Sequence, residues 1–404
     1  MQKLKTENYK GTRDFYPEDN FAQNHIFKIW RKSVESFGFQ EYNASVLEES
    51  DIYKSKTSEE IVNSQTYTFI DRGDREVTLR PEMTPTLARM VAAKKRDLSF
   101  PLRYYSIPNC FRYERPQRGR LREFWQLNVD ILNTKNDQAY DIEIFKVINN
   151  IMINFGAEEK DYTIYINSRS LLNAVYNHYY EFTEAEGKTF QRLLDRKDKI
   201  SKEEFAKEYE KITDKEYLDI KDINIPEVKK ELDYINTIIN ECAKENIKIV
   251  FNQDIVRGFD YYTGIVFEVY DNDPNNNRAL FGGGRYENLI DLFETVKDDV
   301  KISGIGFGIG DVPMQNFLES RNLLPKYENS IDTLIGVISD QQEVIDYANI
   351  VARDFRIENK NVAVNYDNRK VGDIMKIAEK NNIKEVVIIG EKEAETKVFE
   401  VKIL

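Results

Sequence analysis

The chain has few residues of the kinds that build covalent or histidine-based sites. It contains only two cysteines, Cys110 and Cys242, and two histidines, His25 and His178. The cysteines lie far apart without CxxC spacing, which excludes a disulfide framework and a thiolate zinc site. Neither histidine has a second one at metal-ligand spacing or a nucleophile motif beside it. We therefore expect neither metal-centred nor triad chemistry.

Long apolar segments are missing too. No run of about 18 apolar residues, the length of a membrane-spanning helix, occurs in the chain. The N-terminal sequence MQKLKTENYKGTRDF lacks the apolar region of a secretory signal. We therefore expect a cytoplasmic protein that makes no contact with a membrane.

Positive charge is in deficit, with 58 Lys and Arg against 70 Asp and Glu, a net charge of −12. Diffuse binding to nucleic acid needs a broad basic surface. DNA is therefore not an expected partner, and any contact with RNA must be local. The 404 residues are 41% hydrophobic, which at roughly 150 residues per domain predicts two or three globular domains.

Hydrophobic periodicity divides the chain. The segments 67–70, 77–80, 102–113 and 123–132 are short, aromatic or β-branched, which predicts strands of an antiparallel sheet. Helical spacing predicts a helix over 20–37 and a helical insertion, rich in Lys and Glu, over 168–248. Strand-like sequence resumes with IVFNQD and ends in ISGIGFGIG, before a helix from about Pro313 to Leu323.

From residue 331 onward, strand-like and helix-like segments alternate. The sequence therefore predicts an α+β fold with a first domain over 1–325, interrupted by the insertion 168–248. A second, α/β domain is predicted over 331–404.

The densest charged motif is FRYERPQRGRLREF, a predicted turn between two strands. It carries five arginines: Arg112, Arg115, Arg118, Arg120 and Arg122. A guanidinium group binds phosphate through paired hydrogen bonds and keeps its charge. A triphosphate or an RNA backbone is the expected ligand, and a solvated basic hairpin is the alternative.

The strand after this turn has one polar and one apolar face. Period-two alternation places Phe124, Gln126, Asn128 and Asp130 on one side and Trp125, Leu127 and Val129 on the other. Burying polar side chains costs free energy unless they find partners. The polar face therefore predicts a small polar ligand such as an amino acid.

Three further motifs have both a functional and a structural interpretation. In TLRPEMTP, Glu82 could bind a cation or pair with Arg80. The adjacent tyrosines of RGFDYYTG could contact a planar ring. The glycines of ISGIGFGIG share one strand face, which leaves room for a flat ligand or a close helix, or serves tight packing alone.

Five motifs, in this order and spacing, resemble histidyl-tRNA synthetases over nearly the whole chain: GTRDFYP, TLRPEMTP, FRYERPQRGRLREFWQLNVDIL, RGFDYYTGIVFEVY and FGGGRYENL. The resemblance implies a six-stranded antiparallel class II catalytic core over 1–325. It also implies that the insertion leans on the tRNA acceptor arm and that 331–404 bind the anticodon. The implied reaction activates L-histidine with ATP and Mg²⁺ and transfers it to the 3′ end of tRNA(His), in a homodimer.

The resemblance assigns site residues by motif. Nine would bind histidine: Glu82, Met83, Thr84, Arg112, Gln126, Asp130, Arg257, Tyr261 and Tyr262. Four would bind ATP: Arg112, Glu114, Arg120 and Phe124. Arg112 and Arg257 would be catalytic, because they neutralise charge that grows on the α-phosphate. Arg115 and Gln117 match positions associated with the extra 5′ guanosine of the tRNA, and no metal ligand is assigned.

Three features depart from the family pattern. Pro313 stands where the adenine-stacking arginine would fall, and losing that cation should weaken ATP binding by about 1 to 2 kcal/mol unless another side chain substitutes. Ser45 replaces the proline of the dimer-forming motif. The chain ends at Leu404, so we expect the final helix of the anticodon domain to be absent.

Two non-catalytic paralogues are alternatives: the regulatory subunit of ATP phosphoribosyltransferase and a tRNA-sensing pseudo-synthetase. The first normally lacks an anticodon-binding domain, so the module after Ile331 argues against it. Residues of an intact site argue against the second: Glu82, Arg112, Gln126 and Arg257.

Overall fold

A computed structural model describes residues 4–54, 65–135, 138–194, 196–197, 200–255, 261–276, 278–293 and 301–404. The chain divides into two compact units, Met1–Pro325 and Lys326–Leu404. Within the described ranges, no helix is both long and apolar enough to cross a membrane.

The strands of the first unit are, in chain order, β1 Gln40–Glu41, β2 Leu47–Glu49, β3 Tyr67–Ile70, β4 Glu76–Leu79, β5 Leu102–Ser106, β6 Asn109–Phe111, β7 Glu123–Asn133, β8 Tyr162–Ser168, β9 Ile249–Phe251, β10 Ile265–Asp271, β11 Ala279–Tyr286 and β12 Ser303–Gly310. Its helices are α1 Pro17–Glu35, α2 Asp51–Lys54, α3 Thr84–Lys94, α4 Gln138–Asn154, α5 Arg169–Val175, α6 Glu184–Leu194, α7 Lys202–Glu210, α8 Pro226–Ala243 and α9 Asp311–Ser320.

The first unit is built around one large sheet, which has nine strands in the described residues. Its strand order is β1-β5-β7-β12-β11-β10-β8-β9, with β6 paired to β7. The six strands from β5 to β8 in this order pair antiparallel with one another, which is the core that the resemblance implied. Parallel strands extend it at both edges, β1 beside β5 and β9 beside β8. Strands β2, β4 and β3 form a separate small sheet.

The predicted strand 102–113 is interrupted. β5 ends at Ser106 and β6 begins at Asn109, because Pro108 between them has no N–H to donate to a ladder. The Pro108 carbonyl instead accepts the Gln126 backbone N–H at 3.0 Å. The chain can therefore pair with two different stretches of β7.

The apolar face of the sheet is covered by helices. Leu127 and Val129 of β7 are fully buried in a core with Trp30 of α1, Phe145 of α4 and Phe317 of α9. This confirms the apolar side of the predicted alternation. The opposite face of β7 is left for polar side chains.

The segment 168–248 is helical, as predicted. It contains α5 to α8 and a π-helical turn at Tyr176–Tyr180. Its buried residues, among them Leu171, Phe190 and Ile235, belong to the same core as the sheet. The insertion therefore packs as part of the first unit.

The second unit alternates strand and helix, in the order β13 Thr333–Val337, α10 Gln342–Ile357, β14 Val362–Asn365, α11 Val371–Lys380, β15 Glu385–Ile389, α12 Glu391–Thr396 and β16 Val401–Ile403. β13 lies between β14 and β15, parallel to both, and β16 is antiparallel to β15. One side of the sheet packs on α10 and α12 and the other on α11.

Candidate active site

Polar side chains and bare glycines face each other across β7 and β12. Gly306 pairs with Asp130, and Gly308 with Asn128. A Cβ atom on Gly306 would collide with the Asp130 carboxylate, and one on Gly308 would lie 2.5 Å from Gln126 Nε2. Of the two interpretations of this bare face, these contacts support tight packing: the glycines make room for side chains of the neighbouring strands.

Asp130 is a buried acid of this face. Its Oδ1 accepts a hydrogen bond from Tyr286 Oη at 2.7 Å. Its Oδ2 is buried without a hydrogen-bond partner in the described part of the chain. Burial, and secondarily the Glu82 carboxylate, raise the pKa of Asp130 to about 7, although the Tyr286 hydrogen bond opposes this shift.

The motifs TLRPEMTP and RGFDYYTG meet beside Asp130. Tyr261 Oη donates to Glu82 Oε2 at 3.0 Å, and Tyr261 also has a hydrogen bond with Thr84. The rings of Tyr261 and Tyr262 lie edge to face at 4.9 Å, and that of Tyr286 lies 5.7 Å from Tyr261. Burial and the nearby Glu82 carboxylate raise the pKa of Tyr261, so its hydroxyl stays protonated.

Two neighbours of Glu82 have structural contacts. Met83 is fully buried, with Sδ 3.9 Å from Arg80 Nη1. The Arg80 guanidinium donates to the carbonyls of Asn109 and Ala44, both at 2.9 Å. Arg80 thus joins three chain segments, a structural role that the sequence analysis had considered only as pairing with Glu82.

The five arginines of the basic motif do not form one cluster. Arg112 donates from Nε to the Pro81 carbonyl at 2.9 Å, and its guanidinium lies 5.2 Å from the Phe124 ring centre. Arg122 instead stacks on Tyr113 at 4.0 Å. Mutual repulsion is therefore reduced by separation and by local acceptors.

The remaining three arginines lie at the exposed hairpin. Arg120 Nη1 pairs with Glu114 Oε2 at 3.1 Å, and the Arg120 side chain is 58% exposed. Gln117 Oε1 accepts a hydrogen bond from Arg278 at 3.2 Å, while Arg115 and Arg118 are exposed. The arginine side chains of this hairpin can reorient toward an incoming anion, because they are mostly solvated.

Asp311 is a buried acid that the sequence analysis missed. Its carboxylate accepts hydrogen bonds from Arg13 Nη2 at 2.6 Å, from Gln23 Nε2 at 3.3 Å and from the Trp125 backbone N–H at 3.0 Å. It stands in the same short segment as Pro313, at the start of α9. Asp311 therefore ties the N-terminal GTRDF motif to β7.

Tyr286 was missed as well, although FGGGRYENL was recognised as a motif. Its ring lies against Gly304, where a Cβ atom would overlap it. Predicting this contact requires the β11–β12 register, which pairs Tyr286 with Gly304. Arg257, assigned to the site by resemblance, lies outside the described residues.

Comparison with known proteins identifies the family. The family model described as Histidyl-tRNA synthetase matches residues 11–309, and the one described as Anticodon binding domain matches 332–404. A histidine–tRNA ligase of Leptospira biflexa is 40% identical over 416 residues, which cover 99% of this chain and 94% of that protein. The chain belongs to the histidyl-tRNA synthetase family.

Other relatives agree. A histidine–tRNA ligase of Thermoplasma volcanium is 33% identical over 97% of this chain and 92% of its own length. The crystal structure of histidyl-tRNA synthetase from Nostoc sp. PCC 7120 shares the fold, with a TM-score of 0.77 at 22% identity over 99% of this chain and 95% of that one.

Membership in the histidyl-tRNA synthetase family makes the protein an ATP-using ligase of protein biosynthesis, with histidine and tRNA as its partners. The non-catalytic paralogues are not favoured. Among the described residues, no group of three or more His, Cys, Asp or Glu side chains is arranged to hold a metal ion.

Proposed function

We propose that the pocket beside Asp130 binds the histidine substrate and that activation takes place there. The Oδ2 atom of Asp130, which is buried and has no hydrogen-bond partner in the part of the chain that the structure describes, carries this proposal. Neutral imidazole has one N–H donor and one nitrogen acceptor, and a carboxylate in this position can accept that N–H. Gln126 and Asp130 share the β7 face, and Tyr261 and Tyr262 would flank the ring.

The α-ammonium group needs acceptors close to the ring site. Glu82 is buried and stands next to Thr84, and Tyr261 holds both by hydrogen bonds. We assign Glu82 and Thr84 to the ammonium group because a carboxylate compensates a buried cation. Met83, which lies between Glu82 and Thr84 in the chain, is also in the set predicted to bind histidine and would contribute through its backbone.

ATP would lie along β6, β7 and the hairpin. Phe124 offers a ring for stacking adenine, with Glu114 near the adenine amino group. Arg112, fixed over Phe124 and against the Pro81 carbonyl, would contact the α-phosphate. Arg120 would exchange Glu114 for the outer phosphates, since its present ion pair is half exposed and weak.

Activation requires little acid or base catalysis. A carboxylate oxygen of histidine attacks the α-phosphorus, and the bond from that phosphorus to the oxygen bridging the β-phosphate breaks, releasing pyrophosphate. Negative charge grows on the α-phosphate oxygens. Arg112, with Arg257 from the RGFDYYTG motif, would neutralise this charge.

Mg²⁺ would enter as part of the ATP substrate. In such enzymes Mg²⁺ is held largely by substrate phosphates and water. This fits a site in which Asp130 and Glu82 accept hydrogen bonds from tyrosines, and in which the described residues form no group of three acids able to hold a metal ion. Mg²⁺ would neutralise phosphate charge when bound.

The later steps involve the tRNA. A ribose hydroxyl at its 3′ end attacks the carbonyl of the adenylate, and AMP leaves. Arg115 and Gln117 of the hairpin would contact the 5′ end, residues 168–248 the acceptor arm and 331–404 the anticodon.

We also propose a homodimer acting in the cytoplasm. Three large apolar side chains of the small sheet support the dimer, because they are exposed at 41%, 47% and 61%: Leu47, Phe69 and Ile70. Grouped exposed apolar residues are typical of interfaces.

Histidine-dependent exchange of pyrophosphate into ATP tests the activation step without tRNA. We expect exchange with histidine alone among the amino acids, and a loss of at least 100-fold, about 2.7 kcal/mol, in Arg112→Ala. The matched control is Arg31→Gln, whose guanidinium pairs with Glu41 on another part of the sheet and should not affect exchange. Histidine binding without exchange would instead support a non-catalytic paralogue.

A further inference from the structure

The exposed basic hairpin has a contact with a residue that has no role in the assignment above. Arg278 immediately precedes β11 and lies outside every motif that carried the resemblance. Its Nη2 donates to Gln117 Oε1 at 3.2 Å, across 161 positions of the chain. Gln117 is one of the two residues proposed to contact the 5′ end of the tRNA.

The backbone at Gln117 is fixed by a tight turn. Its N–H donates to the Arg120 carbonyl at 3.0 Å, and the Arg120 N–H donates back to the Gln117 carbonyl at 2.9 Å. Gly119 within the turn has φ +78°, a conformation that favours glycine. The side-chain torsions of Gln117 therefore decide where its amide points.

A second observation brings the hairpin close to the segment between β10 and β11, which includes Arg278. The Asn275 backbone N–H, and among lesser causes the Arg118 guanidinium, lower the pKa of Asp273. Arg118 is on the hairpin and Asp273 on that segment. The hydrogen bond from Arg278 to Gln117 thus joins two segments that also interact through charge.

The chemistry of the two groups determines how the amide is oriented. A guanidinium group has only donors, whereas an amide has an acceptor oxygen and a donor nitrogen. Gln117 must therefore turn Oε1 toward Arg278, because the opposite orientation would set donors against donors. Both N–H donors on Nε2 are then left for a ligand.

Water competes for this hydrogen bond in the free protein, since Arg278 and Gln117 are both exposed. An RNA that covers the hairpin would exclude that water. Polar groups that face each other wrongly cost more where water is excluded. The orientation set by Arg278 should therefore matter most in the complex.

A donor-only amide distinguishes the two purines. The major-groove edge of guanine presents two acceptors, O6 and N7, whereas the same edge of adenine presents the acceptor N7 and an amino donor at N6. Nε2 of Gln117 could donate to the guanine edge. The adenine amino group would instead meet a second donor.

We propose that Arg278 is a specificity-determining positioning residue, which holds the Gln117 amide so that it donates to guanine at the 5′ end of the tRNA and disfavours adenine there. This inference rests on the proposed function, in which Gln117 contacts that end. The exposed Arg115 and Arg118 would contact phosphates, which carry no base information. Arg278 would then act on base selection through Gln117.

The test compares Arg278→Met with the unmodified full chain in charging of two tRNA(His) transcripts. Both transcripts have the same 5′ phosphate, and they differ only in guanosine or adenosine at the extra 5′ position. The ratio of kcat/KM values, guanosine over adenosine, should fall about tenfold in the variant, because the amide can then turn Oε1 toward the adenine amino group. Pyrophosphate exchange without tRNA, measured on every variant, reports whether the site is still folded.

Three further variants separate orientation from charge and from general damage. Arg278→Lys should keep most of the guanosine preference, since an ammonium group also has only donors. Gln117→Glu should lose the preference although its carboxylate can pair with Arg278, because no donor remains for guanine. Arg31→Met is the matched control, with its guanidinium paired to Glu41, and should leave the ratio unchanged.

An equal fall of kcat/KM for both transcripts in Arg278→Met would overturn the inference, since it would mean a phosphate contact only. A preference that is lost in Gln117→Glu but kept in Arg278→Met would also overturn it, and would leave the proposed contact of Gln117 with the 5′ end intact. Equal charging of both transcripts by the unmodified protein would contradict that contact and this inference together.

Discussion

Burial of Asp130 beside Glu82 raises the pKa of its carboxyl group to about 7. In the unfolded chain an aspartate titrates near 4, so between roughly pH 4 and 7 the native state holds a proton that the unfolded state has lost. The free energy of unfolding therefore falls as pH rises through this window. Above pH 7 the Asp130 carboxylate is ionised in both states, and the free energy of unfolding stays lower by the full cost of burying that charge.

Asp130→Asn should remove this dependence. We expect the free energy of unfolding of the free protein at pH 8 to rise by on the order of 2 kcal/mol, while histidine-dependent exchange is lost. Urea unfolding at pH 5 and pH 8 measures the effect. Asp254→Asn, which removes a part-exposed ion pair with Lys197 but keeps Asp130, should retain the pH dependence of the unmodified protein. An unchanged pH slope in Asp130→Asn would assign the slope to another group.

Single residues also mark the limit of prediction from sequence. The polar face of β7, with Gln126 and Asp130, follows from period-two alternation within one strand. Tyr286 and Asp311 could not be found this way, because their partners come from strands and helices distant in sequence.

At the scale of elements, one buried ion pair joins a helix to a central strand. Arg285 of β11 donates from Nε to Asp141 Oδ1 of α4 at 2.8 Å, and both side chains are buried. Tyr234 of α8 donates to Asp141 Oδ2 at 2.6 Å. The insertion thereby connects to the strand that carries Tyr286.

Asp141→Ala should destabilise the protein by about 3 to 5 kcal/mol, because it removes the buried carboxylate that pairs with the Arg285 guanidinium. Glu143→Ala on the same helix is the control. It removes a part-exposed pair with Arg103 and should cost less than about 1 kcal/mol. Chemical denaturation of both variants gives the comparison, and equal losses would contradict the assigned importance of burial.

Elements were predicted best where the pattern is local. The β12 faces and the helical character of 168–248 follow from spacing of Gly, Ile and Leu along the chain. The break at Pro108 and the edge strand β1 did not, because a two-residue strand carries too little periodicity. The edge strand β9 does fall in the segment IVFNQD that was predicted to be strand-like. The packing of the insertion into the main core is a tertiary property without a local signal.

On the scale of the whole molecule, each unit has its own hydrophobic core. The described pocket residues all lie in the first unit, and the second packs both faces of its sheet with its own helices. A fragment of residues 1–325 should therefore fold and retain histidine-dependent exchange. It should lose most charging of tRNA, since 331–404 would contribute the anticodon contacts.

Exchange and charging assays on the fragment and the full chain, at matched concentrations, check this separation. Equal charging by both would contradict the role proposed for the second unit. A folded fragment without exchange would mean that activation depends on that unit.

The distance between β7 and β12 in the sequence delays their pairing during synthesis on the ribosome. β12 pairs with β7 along its whole length, yet the insertion lies between the two strands in the sequence. At roughly 5 to 20 residues per second on the ribosome, on the order of 10 to 40 s pass between the synthesis of Asp130 and that of Gly306. Helix α1 is made before β7, and α4 and the helices of 168–248 follow during this interval. These helices would therefore cover the apolar face of β7 before its pairing with β12 can form.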